Sequence, residues 1–64
     1  MKIHEAFPND PEEYAKLLAD AASNADNEWE EDFVGGLKVK YDRWGTEAFV
    51  SDKQLEILRR IAGE

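Results

Sequence analysis

The 64-residue chain has no cysteine, only two prolines and a single histidine, His4. Without cysteine there is neither a disulfide framework nor a thiolate metal site, which suits a reducing compartment. One histidine cannot build a zinc site by itself. No apolar run approaches the ~20 residues of a bilayer-spanning helix, and MKIHEAF lacks the apolar stretch of a secretory leader. The expectation is a soluble, cytoplasmic protein with no membrane partner. Positive charge is also scarce: eight Lys and Arg against fifteen Asp and Glu leave a net charge of −7. That balance argues against holding nucleic acid or anionic lipid through a general positive field, and makes a basic protein surface the natural counterpart.

At this length residues 1–64 form one domain at most, near the lower size at which a chain buries enough apolar surface to fold without staples. The charge within it is uneven. Residues 1–32 hold ten acids against Lys2 and Lys16, a net of −8, whereas residues 33–64 hold five acids against six bases, a net of +1.

The pattern predicts a small all-α, three-helix domain. Asp10-Pro11-Glu12-Glu13 gives a cap, a proline at the first helical position and a capping-box spacing. Tyr14, Leu17, Leu18 and Ala21 then recur as one apolar stripe, so a helix is expected over about 11–22. A second helix is expected over about 26–44, with Asn27 and Glu30 at capping spacing and acids in the first turn, where the helix dipole favours them. Trp29, Phe33, Leu37, Tyr41 and Trp44 fall within an arc of roughly 120° and are expected to face inward.

Gly35-Gly36 interrupts that helix, and a kink or break is expected there, since each glycine costs a helix interior about 1 kcal/mol relative to alanine. The competing reading is α+β, with a hairpin over 37–50, because Leu37 to Tyr41 alternates strictly. The aromatic spacing that runs unbroken from Trp29 to Trp44 favours helix. Ser51 as cap, Gln54 three residues later and Val50 placed to staple against Leu55 predict a last helix over about 52–62, with Gly63 just past its end. The predicted core joins Leu17, Leu18, Leu55, Leu58 and Ile61 to Trp29, Phe33, Tyr41 and Trp44.

Candidate chemistries can be weighed residue by residue. Asp26-Asn27-Glu28-Trp29-Glu30 puts oxygen ligands at alternate positions, but an EF-hand loop needs glycine at its sixth position and Glu31 stands there. His4 has no recognisable nucleophile partner and lies in an end segment expected to be loosely held. No metal, no cofactor and no enzymatic activity are therefore expected. Lys53, Gln54, Arg59 and Arg60 on the last helix, with Lys38, Lys40 and Arg43 upstream, offer a basic face for DNA. Pairing of Glu56 with Arg59 and Arg60, and of Lys38 with Asp42, accounts for the same residues as ordinary helix surface.

The acidic stretch NADNEWEEDF, residues 24–33, lacks such balance. Glu28 faces Asp32 at i+4, a repulsive spacing, and the positions four beyond Glu31 and Asp32 are glycines. Carboxylates three and four apart on a helix stand about 5–6 Å from one another, comparable with the charge spacing of a nucleic-acid strand. Glu12, Glu13 and Asp20 on one helix, with Asp26, Glu28, Glu31 and Asp32 on or ahead of the next, could present two acidic rows to a groove lined by Lys and Arg. The plainer reading of these acids is a solubilising surface.

NEWEEDFV, residues 27–34, and AFVSDKQLEILRRIAG, residues 48–63, together resemble a pattern of small phage and mobile-element proteins. In that pattern a Trp-Glu…Asp-Phe helix leads through an aromatic-Gly turn to a Ser-acid-Lys-Gln capped helix; Gly35-Gly36 departs from it. With the small size and acidity, the chain resembles the anti-CRISPR proteins. The resemblance implies a phage-encoded inhibitor acting in the bacterial cytoplasm. It would imitate DNA and occupy a basic, nucleic-acid-binding surface of a host defence complex, most naturally of a type I system. No direct nucleic-acid contact is implied, and a monomer or weak homodimer is expected. The alternative is a small phage DNA-binding accessory or regulatory protein using the basic last helix.

Overall fold

Each long helix begins where a short polar group can take up backbone N–H groups that the helix itself leaves free. A computed structural model describes residues 1–63 and contains four α-helices: α1 (Ile3–Ala6), α2 (Glu12–Asn24), α3 (Glu28–Trp44) and α4 (Asp52–Ala62). A short 3-10 turn, Gly45–Glu47, follows α3. At α2 the Asp10 carboxylate accepts from Glu12 N at 3.1 Å. At α3 Asn27 Oδ1 accepts from Glu30 N at 2.9 Å, while the Glu30 carboxylate reaches back to Asp26 N at 2.8 Å. At α4 the capping box is complete: Ser51 Oγ accepts from Gln54 N, and Gln54 Oε1 from Ser51 N. Gly63, in the left-handed region at φ 92°, ends α4, and the Asn24 side chain donates to Ala62 O at 3.0 Å. The end of α2 thus closes the end of α4.

The fold is the expected small all-α domain, with three long helices and a one-turn helix ahead of them. One local expectation is corrected. α3 passes through Gly35 and Gly36 without a break, because both glycines lie on its exposed side and fifteen other residues supply the helix. It stops where expected, at Gly45, whose φ of 58° takes the chain out of helical geometry at low steric cost for glycine alone. The hairpin over 37–50 does not form; residues 37–44 are helical.

The core is contiguous, with α2 packed between α3 and α4. Tyr14, Leu17, Leu18 and Ala21 bury the inner face of α2, Leu55, Leu58 and Ile61 that of α4, and Val34 and Leu37 that of α3. The N-terminal segment, expected to be loose, is fastened on both faces. Ile3 and Phe7 are buried, Ile3 N donates to Ala48 O at 3.0 Å, and Val50 N donates to Met1 O at 2.8 Å. Residues 48–50 are extended, so successive side chains alternate: Ala48 and Val50 point into the core and Phe49 out of it.

Burial of the two tryptophans is a further expectation that is corrected. Trp29 is 60% and Trp44 54% exposed, and Phe33 and Tyr41 are only partly buried. The inner face of α3 is centred on Val34, Leu37 and Tyr41, about 50° round the helix from the centre of the aromatic arc. Ile3, Phe7, Ala48 and Val50 fill the core volume that sequence reasoning assigned to the indoles.

A candidate docking face on α3

Because α3 buries only Val34 and Leu37 fully, with Phe33 and Tyr41 partly buried against the core, its two tryptophans are left on the flank. Trp29 and Phe33, one turn apart, stack with ring centroids 5.4 Å apart and planes inclined by 10°. Asp26, Glu28 and Asp32, at the same end of the helix, are all exposed. Among the described residues none of the three forms an ion pair.

The other end of the same flank is aromatic and basic. Trp44 carries the Arg43 guanidinium 5.3 Å above its ring, and the Lys2 ammonium lies 6.0 Å from the centroid of Phe49, itself 66% exposed. Lys40, Trp44, Glu47, Ala48 and Phe49 line an open groove of about 350 Å³. Glu47 is held below its usual range chiefly by its hydrogen bond to Lys2 and by that lysine's charge, with His4 adding a smaller effect. The Lys2 Nζ to Glu47 Oε1 distance is 3.1 Å, and His4 Nε2 lies 3.0 Å from Glu47 Oε2. His4 therefore helps tie α1 to the turn after α3.

The seven carboxylates singled out from the sequence are distributed as follows. Glu13 and Asp20 line a groove on the α4 side of α2 together with Phe7, Lys16, Leu17 and Arg59. Glu31 lies in the cleft between α2 and α3, beside Ala22, Ala25 and Lys38. Glu12 is exposed at the start of α2, with Lys16 one turn on. Asp26, Glu28 and Asp32 gather at the exposed beginning of α3. The acids thus lie in separate groups and not as two rows on one face; among the described residues none of the seven forms an ion pair, and Glu13, Asp20 and Glu31 share their grooves with basic side chains.

Three of the four α4 residues that offered a DNA-binding face have local roles. Gln54 completes the Ser51 cap, Arg59 lies 5.7 Å from the ring centroid of Phe7, and Arg60 approaches Glu56 at 3.9 Å. Among the described residues no group of three His, Asp or Glu side chains is arranged to hold a metal ion, and no helix is long and apolar enough to cross a membrane.

Sequence reasoning found the acids of this face and missed its aromatics. The signal was present in the spacing of Trp29, Phe33, Gly36, Lys40 and Trp44, which places a lysine and a glycine on the same line as the rings. A buried face tolerates neither well. Comparison with known proteins adds no family: no family model, no curated protein and no solved structure matches the chain.

Proposed function

We propose that the chain is a non-catalytic binding protein that docks on a basic protein surface through the beginning of α3. The observation that carries this reading is the exposed Trp29, stacked on the half-buried Phe33 at the same end of α3 as the exposed carboxylates of Asp26, Glu28 and Asp32. Exposed tryptophan is the residue type that most often anchors a protein interface, because it buries a large rigid area at small entropic cost. Unpaired carboxylates around it accelerate encounter with Lys and Arg and disfavour acidic competitors. The partner that fits is an apolar notch rimmed by basic side chains.

A nucleic-acid-binding channel has such a rim, and the resemblance to anti-CRISPR proteins names one: the DNA-binding surface of a type I surveillance complex in a bacterial host. In that form the chain is a phage-encoded inhibitor that competes with DNA, its carboxylates standing where phosphates would lie. The test is target-DNA binding by such a complex with increasing native chain, with the Glu28→Lys, Glu31→Lys, Asp32→Lys triple variant, and with Trp29→Ala. The native chain is expected to displace DNA, less effectively at higher salt, and both variants to lose that effect while keeping the helical circular-dichroism spectrum. Equal inhibition by the folded variants would sink the reading.

A further inference from the structure

The flank of α3 carries a longer pattern than the acidic end alone. Trp29, Phe33, Gly36, Lys40 and Trp44 follow at intervals of four, three, four and four residues, close to the seam along which two helices pack side by side. Trp29, Gly36, Lys40 and Trp44 are exposed and Phe33 is half-buried, so the seam is uncovered in the single chain. Charge is polarised along it, with Glu28 and Asp32 at one end and Lys40 and Arg43 toward the other. Among the described residues none of these four forms an ion pair. Gly36 stands midway, and a Cβ placed there would meet nothing within 4 Å. Its missing side chain lets a second backbone approach.

We infer that this face pairs with a second copy of the chain, in an antiparallel homodimer whose two-fold axis passes at Gly36. In a two-fold interface each contact occurs twice, residue i on j and j on i. Turning the second copy end for end about Gly36 brings its Arg43 and Trp44, seven and eight residues past the axis, level to within one residue with Glu28 and Trp29, eight and seven before it. Asp32 and Lys40 each stand four residues from Gly36, so acid meets base along the whole seam. A parallel pairing would set Glu28 and Asp32 against their own copies, and like charges at close quarters reject it.

The second copy thus supplies the basic, aromatic surface that the acidic end is proposed to seek, and the inference rests on that docking reading. With 17 residues α3 is about 25 Å long, and a seam of that length buries on the order of 1,000 Å² in total, the low end for a specific complex. The dimer is expected to dissociate in the micromolar range and to weaken with salt.

Sedimentation equilibrium of the full chain from micromolar to millimolar concentration tests this, with Glu28→Arg, Arg43→Glu, the two combined, and Gly36→Glu. Each single charge reversal is expected to weaken self-association on the order of tenfold, and the combined variant to recover it, because both partners of the pair have been exchanged. Gly36→Glu should be monomeric throughout with undiminished helicity, since glutamate is the better helix former. A native chain that stays monomeric, or a folded combined variant no better than the single ones, overturns the dimer. An external basic partner keeps its own charges, so its binding is lost in Glu28→Arg and stays lost in the combined variant. A monomeric chain that still loses such a partner on Trp29→Ala would sink the dimer alone and leave the docking reading standing.

Discussion

Trp29 stacks on Phe33 at 5.4 Å between ring centroids, yet three-fifths of Trp29 stays open to solvent. A core indole would contribute several kcal/mol of burial; this one contributes little. Trp29→Ala is therefore expected to cost under about 1 kcal/mol of folding stability, whereas Leu58→Ala, at a fully buried position, should cost about 2–5 kcal/mol. Urea denaturation of both variants checks the contrast. Loss of several kcal/mol on Trp29→Ala would return the indole to the core.

The two exposed helical glycines offer a second check. Nothing lies within 4 Å of a Cβ at Gly35 or Gly36, so alanine at either should stabilise the monomer by about 1 kcal/mol through helix propensity and reduced freedom of the unfolded chain. At Gly45, where φ is 58°, alanine should destabilise by about 1–3 kcal/mol although space is open there too. Thermal midpoints of the three variants should move in opposite directions.

The N-terminal segment is predicted to be integral to the fold. Ile3 is 1% exposed and its backbone is bonded to residue 48, so Ile3→Ala should cost about 2–4 kcal/mol. A loosely held tail would give a change near zero in the same denaturation experiment.

The Tyr14 phenol is pushed up to about 12, first by its burial and second by the neighbouring Tyr41. A raised folded value means that the folded state disfavours ionisation. The corresponding stability is fully present below the ordinary tyrosine value of 10.0 and is lost as pH climbs from there through about 12. Tyr14→Phe should remove that part of the alkaline transition, followed by circular dichroism. Glu47 has the opposite sign: its lowered value ties α1 to the turn after α3 above the carboxylate range, and the support fades as pH falls through its folded value. Glu47→Gln should flatten the acid side of the stability profile.

How legible this was in the sequence varied by element. Capping chemistry is local, so Asp10, Asn27 and Ser51 marked the three long helices to within a residue or two. The inner stripes of α2 and α4 were legible for a similar reason: their apolar residues fall on one side and their charges on the other. α3 was not, because it has two apolar sides. Periodicity gathered Trp29 and Trp44 with Leu37 and Tyr41 into one arc, and the one local sign to the contrary was Gly36 and Lys40 on the same line as the rings. What decided it was long-range: Ile3, Phe7, Ala48 and Val50 complete the core, with backbone bonds that join residues more than 40 apart in sequence. The acids of the candidate site were legible as an unbalanced cluster, whereas its aromatic anchor was marked only by the glycine and lysine that share its line.

The most direct test of the docking face is affinity capture from a bacterial lysate on three immobilised chains: the native chain, Trp29→Ala, and the Glu28, Glu31, Asp32 triple lysine variant. Bound proteins are released over a salt gradient and identified by mass spectrometry. The native chain is expected to retain a nucleic-acid-binding protein that elutes with rising salt and competes with DNA, and both folded variants are expected to lose it. Retention of the same protein at the same level by all three chains would contradict the account.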